Sequence, residues 1–226
     1  MGRIVSFGDS FTYGQGMPDI GSIPAADTPS KYAYPQLIAD RYGLECLNRA
    51  SPGASNKEIW FRLMSTEFQD DDIVTVMWSC MTRTCILLDD VGYPRQCDDA
   101  WVTKLGIWYL DDDNEEKGHQ YYSTDAYYKN LYNEYDSVQV TYGYIHHVHC
   151  YLESKNIRFA QTSIPEHSEI EFNNDSYLAE HTSIGKMMLH PSIGLECHQH
   201  GKTPDGHVSP EGHKHFAVRL AEHLGL

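Results

Sequence analysis

The sequence predicts an α/β fold in three layers, α/β/α, around a central parallel sheet. Three observations carry that expectation. Strand-like and helix-like patterns alternate along the 226 residues, which is how parallel sheets covered by crossover helices are encoded. The run Ile73-Val74-Thr75-Val76-Met77-Trp78 is rich in β-branched residues and nearly all apolar, as suits a central strand buried on both faces. The run Ile4 to Phe7 breaks at Gly8 into polar Asp9 and Ser10. Open α/β sheets place their sites at such carboxyl edges of strands.

Each element follows from its own pattern. Ile4-Val5-Ser6-Phe7 reads as a buried first strand. Pro35 to Tyr42 has apolar residues at helical spacing and Gly43 as a stop. Leu44 to Leu47 fits a second strand, and Ser51-Pro52-Gly53-Ala54-Ser55-Asn56 a loop. Ser55 or Asn56 then caps a helix reaching about Phe68, with Ile59, Trp60, Leu63 and Met64 inward. Ile73 to Trp78 is the third strand. The stretch of about 85–135 is rich in Asp and Tyr and reads as an irregular insertion with some helix. Tyr135 to Ser154 reads as helix and Ile157 to Thr162 as strand. Ser163 to Thr203 is polar loop with short helix, and Pro210 to Leu224 is a closing amphipathic helix. All of it reads as one domain, 1–226.

Composition narrows the function. Hydrophobic residues make up 41% and charged residues 22%, which is globular rather than disordered. The formal net charge is −15; a surface so negative repels phosphate backbones, so no nucleic-acid partner is expected. No stretch is apolar enough to span a bilayer, and no membrane partner is expected. The first residues lack an apolar leader, which predicts a cytoplasmic protein with its six Cys reduced. Export by another route, or association with a virion, stays open. So does the oligomeric state.

The chemistry gathers at the two ends. A serine hydroxyl becomes nucleophilic beside a base, and imidazole titrates in the right range. That imidazole needs a carboxylate to fix its tautomer. Ser10 follows the first strand, while Asp205-Gly206-His207 precedes the last helix. Ser10 is the candidate nucleophile, His207 its base and Asp205 the orienting acid. His213 is the rival base, but its place inside the terminal helix points to packing.

Gly8-Asp9-Ser10 after an N-terminal strand resembles the first block of the GDSL/SGNH hydrolases. Asn48-Arg49-Ala50-Ser51-Pro52-Gly53 is similar to their second block, and His207-Val-Ser-Pro-Glu-Gly-His213 to their last. The resemblance implies a flavodoxin-like SGNH-hydrolase fold and a serine esterase that needs no metal or organic cofactor. It implies that the Ser10 and Gly53 N–H groups hold the oxyanion. It also implies that Asp9 is structural. Family substrates are short-chain esters, lipids and O-acetylated sugars. The Tyr-rich insertion and the absence of a greasy lid favour a small acyl group on a carbohydrate. The alternative is a degenerate domain of the same fold that binds a glycan or protein partner without turnover.

Two positions depart from the family pattern. Its third block carries an Asn that donates to the oxyanion, whereas Trp78-Ser79-Cys80-Met81-Thr82-Arg83 has none. Ser79 is the candidate replacement donor, with Arg83 a candidate substrate-binding residue. The spacing of the last block is Asp-x-His instead of Asp-x-x-His.

The runs His146-His147-Val148-His149-Cys150 and Cys197-His198-Gln199-His200 invite a metal. Residues one or two apart on a helix diverge, however, so the first run cannot converge on one ion. No metal site is expected. The acidic run Asp111 to Glu116 lacks calcium-loop spacing and reads as a solvated loop.

Overall fold

The computed structural model describes residues 2–20, 28–88, 101–106, 110, 119–164 and 199–226. Its elements are β1 (Arg3–Phe7), α1 (Ser10–Tyr13), α2 (Tyr34–Tyr42), β2 (Glu45–Asn48), α3 (Asn56–Met64) and β3 (Ile73–Trp78). Then come β4 (Thr84–Leu88), β5 (Trp101–Leu105), α4 (His119–Asn130), α5 (Glu134–Ser154), β6 (Arg158–Ser163) and α6 (Pro210–Leu224).

Among the described residues, four strands form the main sheet in the order β2-β1-β3-β6, and every pairing is parallel. Alternate residues of each strand feed opposite faces, as the two-residue side-chain period requires. On one face Ile4, Ile73 and Met77 meet Tyr34 and Ile38 of α2 and Phe216 and Leu220 of α6. On the other, Val5, Phe7, Val74, Val76 and Trp78 meet Ile59 and Leu63 of α3 and Tyr142, Ile145 and Val148 of α5. Two apolar cores separated by one sheet make the three layers. The expected α/β/α fold is the observed one.

The helix ends follow their sequence signals. Ser55 accepts the Glu58 N–H at the start of α3, and Ser209 accepts the Gly212 N–H at the start of α6. Each satisfies a donor that the helix itself leaves orphaned. α3 ends at Met64, four residues short of the expected Phe68.

The insertion is more regular than its composition suggests. β4 and β5 pair as an antiparallel hairpin, with Cys85 opposite Lys104, and α4 follows. The sequence reading missed both strands because they lack clear alternation and sit among acidic and aromatic residues. The acidic run 111–116 lies outside the described residues, as does most of the polar segment after β6.

Candidate active site

Ser10 is the first residue of α1, directly beyond the carboxyl end of β1. Asp9 caps that helix by accepting the Phe11 N–H at 3.0 Å. The cap takes the second helical N–H and leaves that of Ser10, which has no acceptor within the helix.

The candidate base arrives from the opposite end of the chain. His207 Nε2 lies 2.9 Å from Ser10 Oγ, across 197 positions of sequence. Residues 203–207 form a tight loop: the Gly206 N–H donates to Thr203 O, and the Thr203 N–H donates to His207 O. Gly206 adopts φ 87°, the left-handed conformation that such a three-residue loop requires. That turn absorbs the shortened Asp-x-His spacing. Phe11 packs against the imidazole with ring centroids 5.1 Å apart.

Asp205 stands on the other side of the ring. Its Oδ1 is 3.3 Å from His207 Nδ1 and accepts the Thr203 hydroxyl. Burial works against the Asp205 carboxylate. The Thr203 hydrogen bond and the charge and hydrogen bonds of His207 outweigh it, so its pKa lies below the ordinary value. Asp205 is therefore ionised at neutral pH, as an orienting carboxylate must be. The 3.3 Å contact is long for a charge-assisted hydrogen bond.

His213 faces elsewhere. It is buried, and its Nδ1 accepts the Tyr34 N–H at 3.0 Å. Burial first, then repulsion from His207, lowers its pKa to about 3. It is a neutral acceptor at the start of α2, whose cap residue Ala33 offers no side chain.

At the end of β3 the structure corrects the expectation for Ser79. The Ser79 hydroxyl donates to Asp9 Oδ2 at 2.8 Å, and the Ser79 N–H donates to Asn56 Oδ1 at 2.7 Å. Both donors are engaged, so Ser79 does not replace the missing Asn. Arg83 Nη1 bonds Asp9 Oδ2 at 2.7 Å and Ser79 Oγ at 2.8 Å. Its charge compensates a fully buried carboxylate, so Arg83 braces the turn that carries Ser10. Asp9 is structural, as expected.

Gly53 sits in the turn Ser51–Ala54, closed by the Ala54 N–H donating to Ser51 O at 3.0 Å. Pro52 precedes it and its φ is 71°, which is the signature of a type II turn. The Ser51 N–H donates to Gly8 O at 3.1 Å, so this loop is stitched to the turn that carries Ser10.

Sequence reasoning overlooked Lys104, on β5. It is 5% exposed and donates to Ser51 Oγ at 2.8 Å and to the Pro52 carbonyl. Its only sequence signal is a cation inside the short strand Trp101–Leu105.

The histidine run on α5 diverges. His147 Nδ1 accepts from Trp60 Nε1, His149 faces Glu153, and His146 lies beside Cys150. No group of three metal-ligating side chains occurs among the described residues. Cys197 and His198 lie outside them.

No family model matches the chain, and no curated protein matches it. Solved structures do. The extracellular lipase of Streptomyces rimosus aligns over 99% of this chain and 100% of its own, with 11% identity and a TM-score of 0.53. A lipolytic protein of the G-D-S-L family from Desulfitobacterium hafniense aligns over 98% of both chains, with 13% identity and a TM-score of 0.49. An acetyl xylan esterase, AlAXEase, aligns over 98% of both with 11% identity and a TM-score of 0.47. At such identities the likeness concerns architecture alone, and the chain has the fold of the Streptomyces rimosus lipase.

Proposed function

We propose that this protein is a serine esterase that cleaves short acyl esters through an acyl-enzyme on Ser10. One observation carries the reading: the Ser10 hydroxyl is 2.9 Å from His207 Nε2, with an ionised carboxylate behind the ring. His207 takes the hydroxyl proton as Ser10 Oγ attacks the acyl carbon. The Ser10 and Gly53 N–H groups stabilise the oxyanion. His207 then protonates the leaving alkoxide. Water, deprotonated by the same ring, releases the acid and restores the serine.

The preferred substrate class is an O-acetylated carbohydrate. Its support is the aromatic insertion. Tyr128 donates to the Thr82 carbonyl, next to the Arg83 that braces Asp9, while Tyr122 and Tyr135 remain 62% and 61% exposed. Exposed tyrosines suit the flat faces of sugar rings. The binding-only reading draws on the engaged Ser79, which removes one expected oxyanion donor.

The test is hydrolysis of p-nitrophenyl acetate, butyrate and octanoate, with acetylated xylo-oligosaccharide alongside. Ser10→Ala is expected to lose about 10³-fold or more in kcat/KM, and acetate to be the best chain length. Wild-type rates equal to those of folded Ser10→Ala on all four substrates would overturn the esterase reading in favour of the binding one.

A further inference from the structure

Lys104 has no part in the chemistry above, yet its burial demands a reason. Desolvating an ammonium is costly unless it is paired and hydrogen-bonded, and an apolar side chain of similar size often serves stability better. Its carboxylate is Glu58, fully buried on α3, with Oε1 at 3.7 Å from Lys104 Nζ. The same oxygen lies 3.2 Å from Arg62 Nε. Arg62 in turn donates to the Arg49 carbonyl at 3.3 Å. Two cations held by one carboxylate therefore grip one loop, at the carbonyls of residues 49 and 52.

The grip at Pro52 has a directional consequence. In a trans peptide the C=O and the N–H point in opposite directions. The Pro52 carbonyl is aimed at Lys104, so the Gly53 N–H is aimed away from it. Type II and type I turns differ chiefly by a flip of this central peptide. A flip would remove the carbonyl from Lys104 and reverse the N–H. A cation on the carbonyl also polarises the peptide and strengthens its N–H as a donor.

We propose that Lys104 is a positioning residue for the oxyanion: it locks the Pro52–Gly53 peptide so that the Gly53 N–H faces the acyl oxygen at Ser10. The inference rests on the serine-esterase reading. It also explains how the site manages without the family's third-block Asn. With Ser79 engaged by Asp9 and Asn56, the fixed Gly53 N–H carries more of the stabilisation.

The experiment compares wild type, Lys104→Met and Lys104→Arg in two readouts. The first is the Gly53 amide resonance in a ¹⁵N–¹H spectrum, which responds to the hydrogen bond on the preceding carbonyl and needs no turnover. The second is kcat and KM for p-nitrophenyl acetate. Lys104→Met is expected to shift the Gly53 resonance and lower kcat by about tenfold or more, short of the 10²–10³ for losing a donor outright. KM should stay within about twofold, because the trigonal ester makes little use of the hole. Lys104→Arg, which keeps charge and donors, is expected to recover most of kcat.

An unmoved Gly53 resonance in folded Lys104→Met overturns the proposal, and so does wild-type kcat with a moved one. If Lys104→Met does not fold, Lys104→Gln replaces it under the same criteria. A wild type that hydrolyses no ester removes the esterase reading and the oxyanion role together. An active wild type with an unaffected variant removes the role of Lys104 alone.

Discussion

Gly16 shows how little room the Asp205 carboxylate has. Its φ is 81°, and an added Cβ would strike Asp205 Oδ1 and lie 2.9 Å from Oδ2 and 2.8 Å from Thr203 Oγ1. Gly16→Ala should push the carboxylate off the imidazole. A misplacement of about 1 Å can cost up to about 10²-fold in rate. We expect kcat to fall by more than tenfold, with thermal unfolding shifted by only a few degrees; an unchanged kcat would show that Asp205 does not orient His207. Ser79→Ala should do the opposite. It loosens the Asp9–Arg83 brace at a cost of about 1 kcal/mol in stability, while kcat falls less than the roughly 10²-fold expected of a lost oxyanion donor. Denaturant titration and steady-state kinetics on one preparation check both halves. The convergence of Ser10, Asp205 and His207 was legible in the sequence because each sits in a motif at an element boundary. The posture of Ser79 was not, since it depends on contacts, one of them long-range, that bury its hydroxyl against Asp9 and Arg83. Lys104 was invisible for a related reason. Its partners Ser51 and Pro52 are about fifty residues away, and no local pattern ties them together.

The elements of the main sheet were legible almost to their ends, because burial on both faces writes itself as unbroken apolar runs such as Ile73–Trp78. The hairpin β4–β5 was not, since the short apolar run Cys85–Leu88 is followed by acidic and aromatic residues and pairs with a strand of mixed character, Trp101–Leu105. Between elements, the contact of α6 with α2 is the most informative, because His213 completes the cap that Ala33 cannot supply. Its folded pKa of about 3 lies below the ordinary 6.5. Between those values the unfolded chain binds the extra proton, so stability rises with pH across that window and is lost as pH falls through it. The slope from this one residue is up to about 1.4 kcal/mol per pH unit. Urea titrations of wild type and His213→Gln at pH 7, 6, 5 and 4 should converge as pH falls, with the wild type losing its advantage. Parallel curves would mean that His213 is not held neutral.

At the scale of the molecule, the net charge of −15 acts on substrates before any contact is made. Screening shortens the field's reach from about 30 Å at 0.01 M salt to about 10 Å at 0.1 M. For a negatively charged ester such as p-nitrophenyl succinate, kcat/KM should rise with salt over that range, while neutral p-nitrophenyl acetate should change little. Equal salt responses would place the acidic residues where they do not influence the approach to Ser10. The two-ended construction of the site has a further effect through β5. Ser10 follows β1 and His207 precedes α6, both outside the hairpin between β3 and α4, so that hairpin looks exchangeable, a place where segments of other lengths could be grafted to change substrate. Yet Lys104 reaches from that hairpin to Ser51 and Pro52. A graft that discards this lysine also releases the loop beside the nucleophile. Remodelling of this accessory region is therefore limited by one side chain, and swaps that retain a lysine at this register on β5 are the ones expected to preserve turnover.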